Sequence, residues 1–372
     1  MKLSFKGYTW GLAGAMVLGM IIAACTGVAG PVASEAEELT EQTAAVVEAP
    51  VEQSFSTLDI VRERGVVNCG AGTGANPGFR FISADGSWEG FDVDFCKVIA
   101  AAVLGDGEAY EPIITTTTAR FPMLQSGDLD LLSNGTTWTM SRDTALGFNF
   151  APTTFYDGQG MMVRADSGID LLEDMDGGSV CVRTGTTTEK NLADVMSKLD
   201  IEYEAVLFED TGDTTRSAFE EGRCDGYTTD KSALISASTL FDDPASVKIL
   251  SVVMSKEPLG PLVRHGDDNW FDIVKWSVNC TIQAEELGIT SANVEEMMGS
   301  DDPVIQNTLG VIGDHGQNMG IENSFCADII AQVGNYGEIF DRHLGAGTPF
   351  NLERGTNAQW TDGGLLYSPP FR

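Results

Sequence analysis

Basic residues are scarce in this chain. Lys and Arg number 22 against 55 Asp and Glu, a formal net charge of −33. Nucleic acid demands a basic surface, so that balance excludes it as a partner. An acidic surface otherwise reports solubility and identifies no ligand. Histidine is scarcer still: His265, His315 and His343 are scattered and read as surface residues. No Cys-x-x-Cys pair occurs and no cysteine has a histidine neighbour, so neither a metal nor another cofactor is expected. The Gly-x4-Gly-Lys-Ser/Thr signature of a triphosphate loop is missing.

Long apolar runs are also lacking. Trp10–Ala24 is uncharged and follows Lys2 and Lys6, but it is too short and Gly-broken for a spanning helix of about 20 residues. It reads as an export signal covering residues 1–25. The run Ile22-Ala23-Ala24-Cys25 resembles a bacterial lipobox, which makes Cys25 the expected lipidation site. A plain small-residue cleavage site is the alternative. Residues 26–56 are rich in Ala, Glu, Val, Pro and Gln and hold no sustained apolar period, so they read as a disordered acidic tether. Flexible chain of that length reaches on the order of 30 Å.

Beyond the tether the chain is long enough for two lobes with their own cores. Six cysteines remain after Cys25: Cys69, Cys96, Cys181, Cys224, Cys280 and Cys326. An even count in an exported chain points to disulfides, and six cysteines allow fifteen pairings. Sequential pairing is expected, because each bridge then stays within one lobe or the terminal segment.

Thr57–Gly65 predicts a short helix stopped by Gly65, and Val66–Cys69 a buried strand. Gly70-Ala-Gly72-Thr-Gly74-Ala75 spells a dinucleotide fingerprint, but Asn76-Pro77-Gly78 follows and prevents the helix that would receive a pyrophosphate. An irregular loop bringing Phe79 to the lobe surface is the better reading. Asp85-Gly86 marks a hairpin turn. Gly90–Val103 opens a helix in which Asp92 or Asp94 caps the end or favours the dipole. Ile113–Thr117 reads as a β-branched strand.

Two stretches of the chain echo each other. Leu124-x-x-Gly127-x-x-Asp130 ends a helix and enters a strand, and about ninety residues later Phe219-x-x-Gly222-x-x-Asp225 does the same. The glycines sit where a helix end needs left-handed backbone. The first strand delivers Asn134-Gly-Thr-Thr-Trp-Thr-Met-Ser-Arg142, and the second delivers Tyr227-Thr-Thr-Asp230. Between them, the strand Ser179–Arg183 runs into Thr184-Gly-Thr-Thr-Thr-Glu189, a hydroxyl-rich turn at a helix start. Such a turn offers free N–H groups to an anion, and Glu189 can also complete a capping box. Open α/β sheets bind ligands beyond the carboxyl ends of their strands, and each lobe places polar residues there.

The residues so far resemble the amino-acid-binding proteins of ABC importers, solute-binding family 3. The resemblance is carried by Gly90-Phe-Asp-Val-Asp-Phe95, Ser126-Gly-Asp-Leu-Asp130, Arg142, Gly185-Thr-Thr187 and Gly222-Arg-Cys-Asp225 followed by Asp230. The general L-amino-acid-binding branch is matched more closely, through Tyr156-Asp-Gly-Gln-Gly160, Lys256-Glu-Pro-Leu-Gly-Pro261, Val333-Gly-Asn-Tyr-Gly-Glu338 and Gly363-Gly-Leu-Leu-Tyr367. It spans about Thr57 to Arg372. The lipobox and acidic tether depart from the simple signal of many relatives.

The resemblance implies an α/β, two-lobed periplasmic binding protein fold of type II, with two hinge crossings and the ligand in the interlobe cleft. Lobe one would hold residues 57–154, lobe two 155–253, and residues 254–372 would return to lobe one as an extension. The crossings are expected near Phe155 and Val253. Arg142, Thr137 and Thr187, with Thr186 beside it, would clamp the ligand's α-carboxylate. Asp230 and the Gly135 carbonyl would take the α-ammonium, and Phe79 would wall the side chain. The implied protein is a monomeric, lipid-anchored receptor in the periplasm or on the outer face of the cytoplasmic membrane. It would hand L-amino acids to ABC permease subunits and would not be an enzyme. Two alternatives stand beside it, a cyclohexadienyl or arogenate dehydratase-like enzyme and an amino-acid sensor domain.

Overall fold

Gly127 and Gly222 both adopt the left-handed backbone that the echoed units require, with φ of 88° and 83°. Gly127 closes its helix by donating to the Met123 carbonyl, and Gly222 donates to Phe219 O at the corresponding point. The computed structural model describes residues 56–209 and 213–372. The signal segment, Cys25 and the tether as far as residue 55 lie outside the described residues.

Helix α1 (Thr57–Arg64) is capped by Ser56 and stopped by Gly65. β1 (Val67–Gly72) follows, then a meander of β2 (Ala75–Asn76), β3 (Arg80–Ile82) and β4 (Trp88–Glu89). The Asp85-Gly86 turn lies between β3 and β4, where Gly86 N donates to Ser83 O over 2.9 Å. Helix α2 (Phe91–Leu104), β5 (Tyr110–Ile114), α3 (Arg120–Ser126), β6 (Leu131–Leu132) and β7 (Phe148–Phe150) come next. β8 (Phe155–Asp157) leaves for the second lobe. That lobe contains β9 (Gln159–Arg164), β10 (Gly178–Arg183), α4 (Thr187–Lys198), β11 (Tyr203–Phe208), α5 (Asp213–Glu220), β12 (Gly226–Asp230), α6 (Lys231–Ser238) and β13 (Val247–Ile249). β14 (Glu257–Leu259) returns, followed by β15 (Leu262–Arg264) and the long α7 (Asp268–Glu286). Helices α8 (Val294–Met297), α9 (Pro303–Thr308), α10 (His315–Asn318), α11 (Phe325–Gln332) and α12 (Tyr336–His343) complete the α-helices among the described residues.

The two five-stranded sheets share one pattern. Their orders are β5-β1-β6-β15-β7 and β11-β10-β12-β9-β13. In each, three parallel strands are followed by an antiparallel strand that has just come from the hinge, β15 or β9. The hinge is itself an antiparallel ladder in which Phe155, Tyr156 and Asp157 face Leu259, Pro258 and Glu257. The return crossing therefore lies later than Val253. Residues 250–254 still run beside β9, with Leu250 N bonded to Met161 O and Met254 N to Gln159 O.

Packing follows the strand alternation. Val180 and Val182 face Leu192 and Met196 of α4, whereas Cys181 faces Phe219 and Tyr227 on the other side. In the first lobe, α2 is buried against α7, α11 and α12 in one continuous core. The residues after the return crossing thus pack on the first lobe. Disulfides join Cys69 to Cys96, Cys181 to Cys224 and Cys280 to Cys326, across sequence separations of 27, 43 and 46. Constraining loops of that size stabilises the fold by about 3–4 kcal/mol each in the chain-entropy picture.

Three expectations from local sequence are corrected. The strand expected at Ile113–Thr117 is Tyr110–Ile114. Its β-branched tail runs past the sheet, where Thr115 Oγ1 instead accepts from Gly72 N and Asn134 Nδ2 at 3.2 Å each. Asp92 and Asp94 do not cap α2, whose N-cap is Gly90 with no side-chain bond. They are ion-pair partners: Asp92 meets Arg80 at 2.8 Å, and Asp94 meets Arg342 and His343. His343 is accordingly no surface bystander, because the last turn of α12 sets its Nε2 2.7 Å from Asp94.

Candidate ligand-binding cleft

The carboxyl ends of β1, β5 and β6 face those of β10 and β12 across a cleft. The free volume within the cleft is small, about 50 Å³. The lobes meet around it, since Ser236 Oγ of α6 donates to Pro77 O over 2.7 Å.

Phe79 is buried on the cleft wall and packs edge-on against Phe155 of the hinge, with ring centroids 5.3 Å apart. Gly135 lines the cleft in a left-handed conformation, φ 64°, and a Cβ there would stand 3.1 Å from Arg80 Nη1. The left-handed backbone is what favours glycine here. Thr186 caps α4 by accepting from Glu189 N, and Glu189 Oε2 reaches back to Gly185 N at 2.8 Å. The expected capping box is therefore displaced by one residue. It leaves Thr187 at the head of a twelve-residue helix whose first N–H groups face the cleft region.

Asp230 ends β12 on the opposite wall. Its Oδ1 is shielded from solvent and has no partner among the described residues. Burial, reinforced by the Asp157 and Glu257 charges, pushes its carboxyl well above the usual carboxylate range. Asp157, held by Ser232 and Gly158, is likewise raised, chiefly by burial. Of the two, Asp230 alone lines the cleft.

Arg142 is placed differently from the expectation. It does not line the cleft. Its Nη1 donates to Thr137 O over 2.7 Å and its guanidinium lies over the Phe121 ring at 5.1 Å, one layer behind the wall. Burial lowers its pKa to about 10, while Glu257 and Asp230 act to hold the proton. The cause is local: Ser141–Ala145 winds as a wide helical turn that points Arg142 back under Thr137.

Four residues that sequence reasoning did not single out for the site stand at or beside the cleft. Arg80, Arg120 and Arg183 line it. Glu257 occupies the hinge strand, buried, and accepts from Thr137 Oγ1 at 2.5 Å, Thr187 Oγ1 at 3.1 Å and Asn191 Nδ2 at 2.7 Å. Thr137 and Thr187, expected to face a ligand carboxylate, thus already face a carboxylate of the protein. Glu257 lies within the Lys256–Pro261 run, so the signal was present as a tract without a role.

Two α/β lobes on a two-strand hinge, with a charged cleft between them, define a bacterial binding protein. The chain belongs to the bacterial extracellular solute-binding proteins, family 3, whose pattern matches residues 70–290. It is 49% identical over 321 residues to the general L-amino acid-binding periplasmic protein AapJ of Rhizobium johnstonii, covering 86% of this chain and 94% of that protein. It is 47% identical over 320 residues to the glutamate/glutamine/aspartate/asparagine-binding protein BztA of Rhodobacter capsulatus, covering 86% and 94%. Among solved structures, a periplasmic binding protein from Brucella ovis with glutathione bound superposes with a TM-score of 0.82 at 44% identity, covering 85% of this chain and 99% of that one. No helix among the described residues is long and apolar enough to cross a membrane.

Proposed function

We propose that this protein captures L-α-amino acids of broad range outside the cytoplasmic membrane and delivers them to the permease of an ABC importer. The observation that carries this is Asp230, a buried carboxylate with an unpartnered oxygen, facing a wall of guanidinium and hydroxyl groups. A zwitterion leaving water must have both charges answered. Asp230 and the Gly135 carbonyl take the α-ammonium. The α-carboxylate lies between Thr137 and the helix start at Thr186 and Thr187, with Arg142 reinforcing the site from behind Thr137. Phe79 flanks the side chain. Each lobe supplies part of this set, so the ligand favours the closed state over the open one. The names of AapJ and BztA, and the glutathione held by the Brucella ovis protein, support an amino-acid-like ligand.

The finer assignments belong to the same proposal. Cys25 carries a lipid, residues 26–56 tether a monomeric receptor, and the second lobe runs from residue 155 to the return strand at Glu257. The protein is a receptor and not an enzyme, so prephenate and arogenate are expected to survive incubation with it unchanged. A thermal-shift screen against the twenty amino acids and glutathione tests the main reading, because bound ligand raises stability by mass action. A flat response to the whole panel, repeated by calorimetry, would reject it.

A further inference from the structure

The hydroxyls that would clamp a ligand carboxylate are already engaged. Thr137 of the first lobe and Thr187 at the head of α4 both donate to Glu257 Oε2, over 2.5 and 3.1 Å. Each hydroxyl owns a single proton, and a proton given to Glu257 is not available to a ligand. The other oxygen of Glu257 accepts from Asn191 Nδ2 at 2.7 Å and from Ser255 Oγ. Glu257 is 1% exposed, so these four neutral donors stand in for its water. The backbone sets its place: Glu257 opens β14, and Trp138 N donates to Pro258 O over 2.8 Å, which holds the hinge strand beside Thr137. Arg142 lies in the field of Glu257 but gives an Nη1 proton to Thr137 O.

A ligand carboxylate between Thr137 and Thr187 thus meets a carboxylate that holds the same two protons. Two like charges share one pair of donors only at a cost, and burial raises that cost. Glu257 has to release the hydroxyls first, and it keeps Asn191 and Ser255 when it does. A binding-competent state that is only partly populated lowers the apparent affinity by that fraction.

We propose that Glu257 is a positioning residue that competes with the ligand's α-carboxylate for Thr137 and Thr187, and so holds amino-acid affinity below what the cleft would otherwise reach. This rests on the amino-acid reading above. The competition acts on a group that all α-amino acids share, so it weakens them alike and leaves their ranking to the side-chain walls. Glu257→Gln keeps the size of the side chain and one acceptor, and removes the charge. Calorimetry with the purified protein reads the effect, with L-glutamine and L-asparagine as probes. Both are expected to bind at least about fivefold more tightly to Glu257→Gln than to the wild type. A glutamate that serves only the fold predicts the reverse, since losing buried bonds weakens the site. Equal or weaker binding by folded Glu257→Gln would overturn the competition, and so would a gain confined to one probe. Either result leaves amino-acid capture standing. Should Glu257→Gln not fold, Glu257→Asp decides, because a carboxylate shorter by one methylene withdraws from the two hydroxyls. Tighter binding is again expected, and unchanged or weaker binding again overturns the proposal. Absence of binding to any amino acid removes the competitor together with the reading it rests on.

Discussion

Thr137 of the first lobe and Thr187 of the second hold their hydroxyl oxygens 3.3 Å apart, and both contact the Glu257 carboxylate. One hinge-strand side chain therefore bridges both lobes at the floor of the cleft. Glu257 also stands directly opposite Asp157 in the hinge ladder. Like charges facing across a ladder destabilise it unless each is otherwise satisfied. Ser232 and Gly158 satisfy Asp157, and Thr137, Thr187, Asn191 and Ser255 satisfy Glu257.

Replacing Glu257 by Ala should therefore release the lobes from each other. Loss of these buried bonds is expected to lower stability by about 1–3 kcal/mol. Small-angle scattering of the free protein should show a larger radius of gyration than the wild type. Identical scattering and an unchanged melting temperature would show that Glu257 does not link the lobes.

Asp230→Asn separates stability from function. The substitution removes a buried charge, so the free variant should match or exceed the wild type at pH 7, by up to about 2 kcal/mol. Its amino-acid affinity should fall at least a hundredfold, since the ammonium loses its counter-charge. Chemical denaturation and calorimetry measure the two quantities. Retained affinity would move the ammonium site elsewhere.

The pH dependence has a definite sign. Asp230 and Asp157 have folded-state pKa values above their ordinary value of 3.8. Their contribution to stability is fully present below that value and is lost as pH rises through the folded pKa. Asp94 runs the other way: its partners His343 and Arg342 outweigh burial and hold it low, so its contribution is lost as pH falls below 3.8. An ammonium at Asp230 displaces a proton wherever that carboxyl is protonated. Calorimetry in buffers of different ionisation enthalpy should detect proton release at mildly acidic pH, and Asp230→Asn should reduce it. Binding without proton exchange across the acidic range would contradict this coupling.

The bridge between Cys181 and Cys224 ties strand β10 to the chain entering its neighbour β12. The Cys181→Ser, Cys224→Ser double variant is expected to lose about 2–4 kcal/mol, read as a lower denaturation midpoint. Because the bridge pins the strand that ends in Asp230, ligand affinity should fall as well. A variant as stable as the wild type would show that the bridge adds nothing to the fold.

Much of the fold was legible because glycine and periodicity speak locally. Gly65, Gly127 and Gly222 each needed left-handed backbone, and each takes it. The lining of the cleft was legible where a residue sits at a strand or helix end, as with Thr187 and Asp230. It was obscure where tertiary packing chose the side chain's direction. Arg120 reads in sequence as a cation at an ordinary helix start, and only the approach of Asn134 and Thr136 shows that it is buried. Arg142 shows the converse, a motif residue that packing sets one layer behind the wall. Glu257 could not be placed from sequence, because the two hydroxyls it contacts lie 120 and 70 residues away.

The uneven distribution of mass has a mechanical consequence. Helices α7, α11 and α12 share one core with α2, and the Cys280–Cys326 bridge fastens that bulk. The chain also enters the fold here, with Thr57 N bonded to Asp267 just ahead of α7. The first lobe is thus the heavy frame. The second is the light flap, hung on two three-residue strands, so a hinge motion there would leave the core of the frame and the Thr57–Asp267 bond intact.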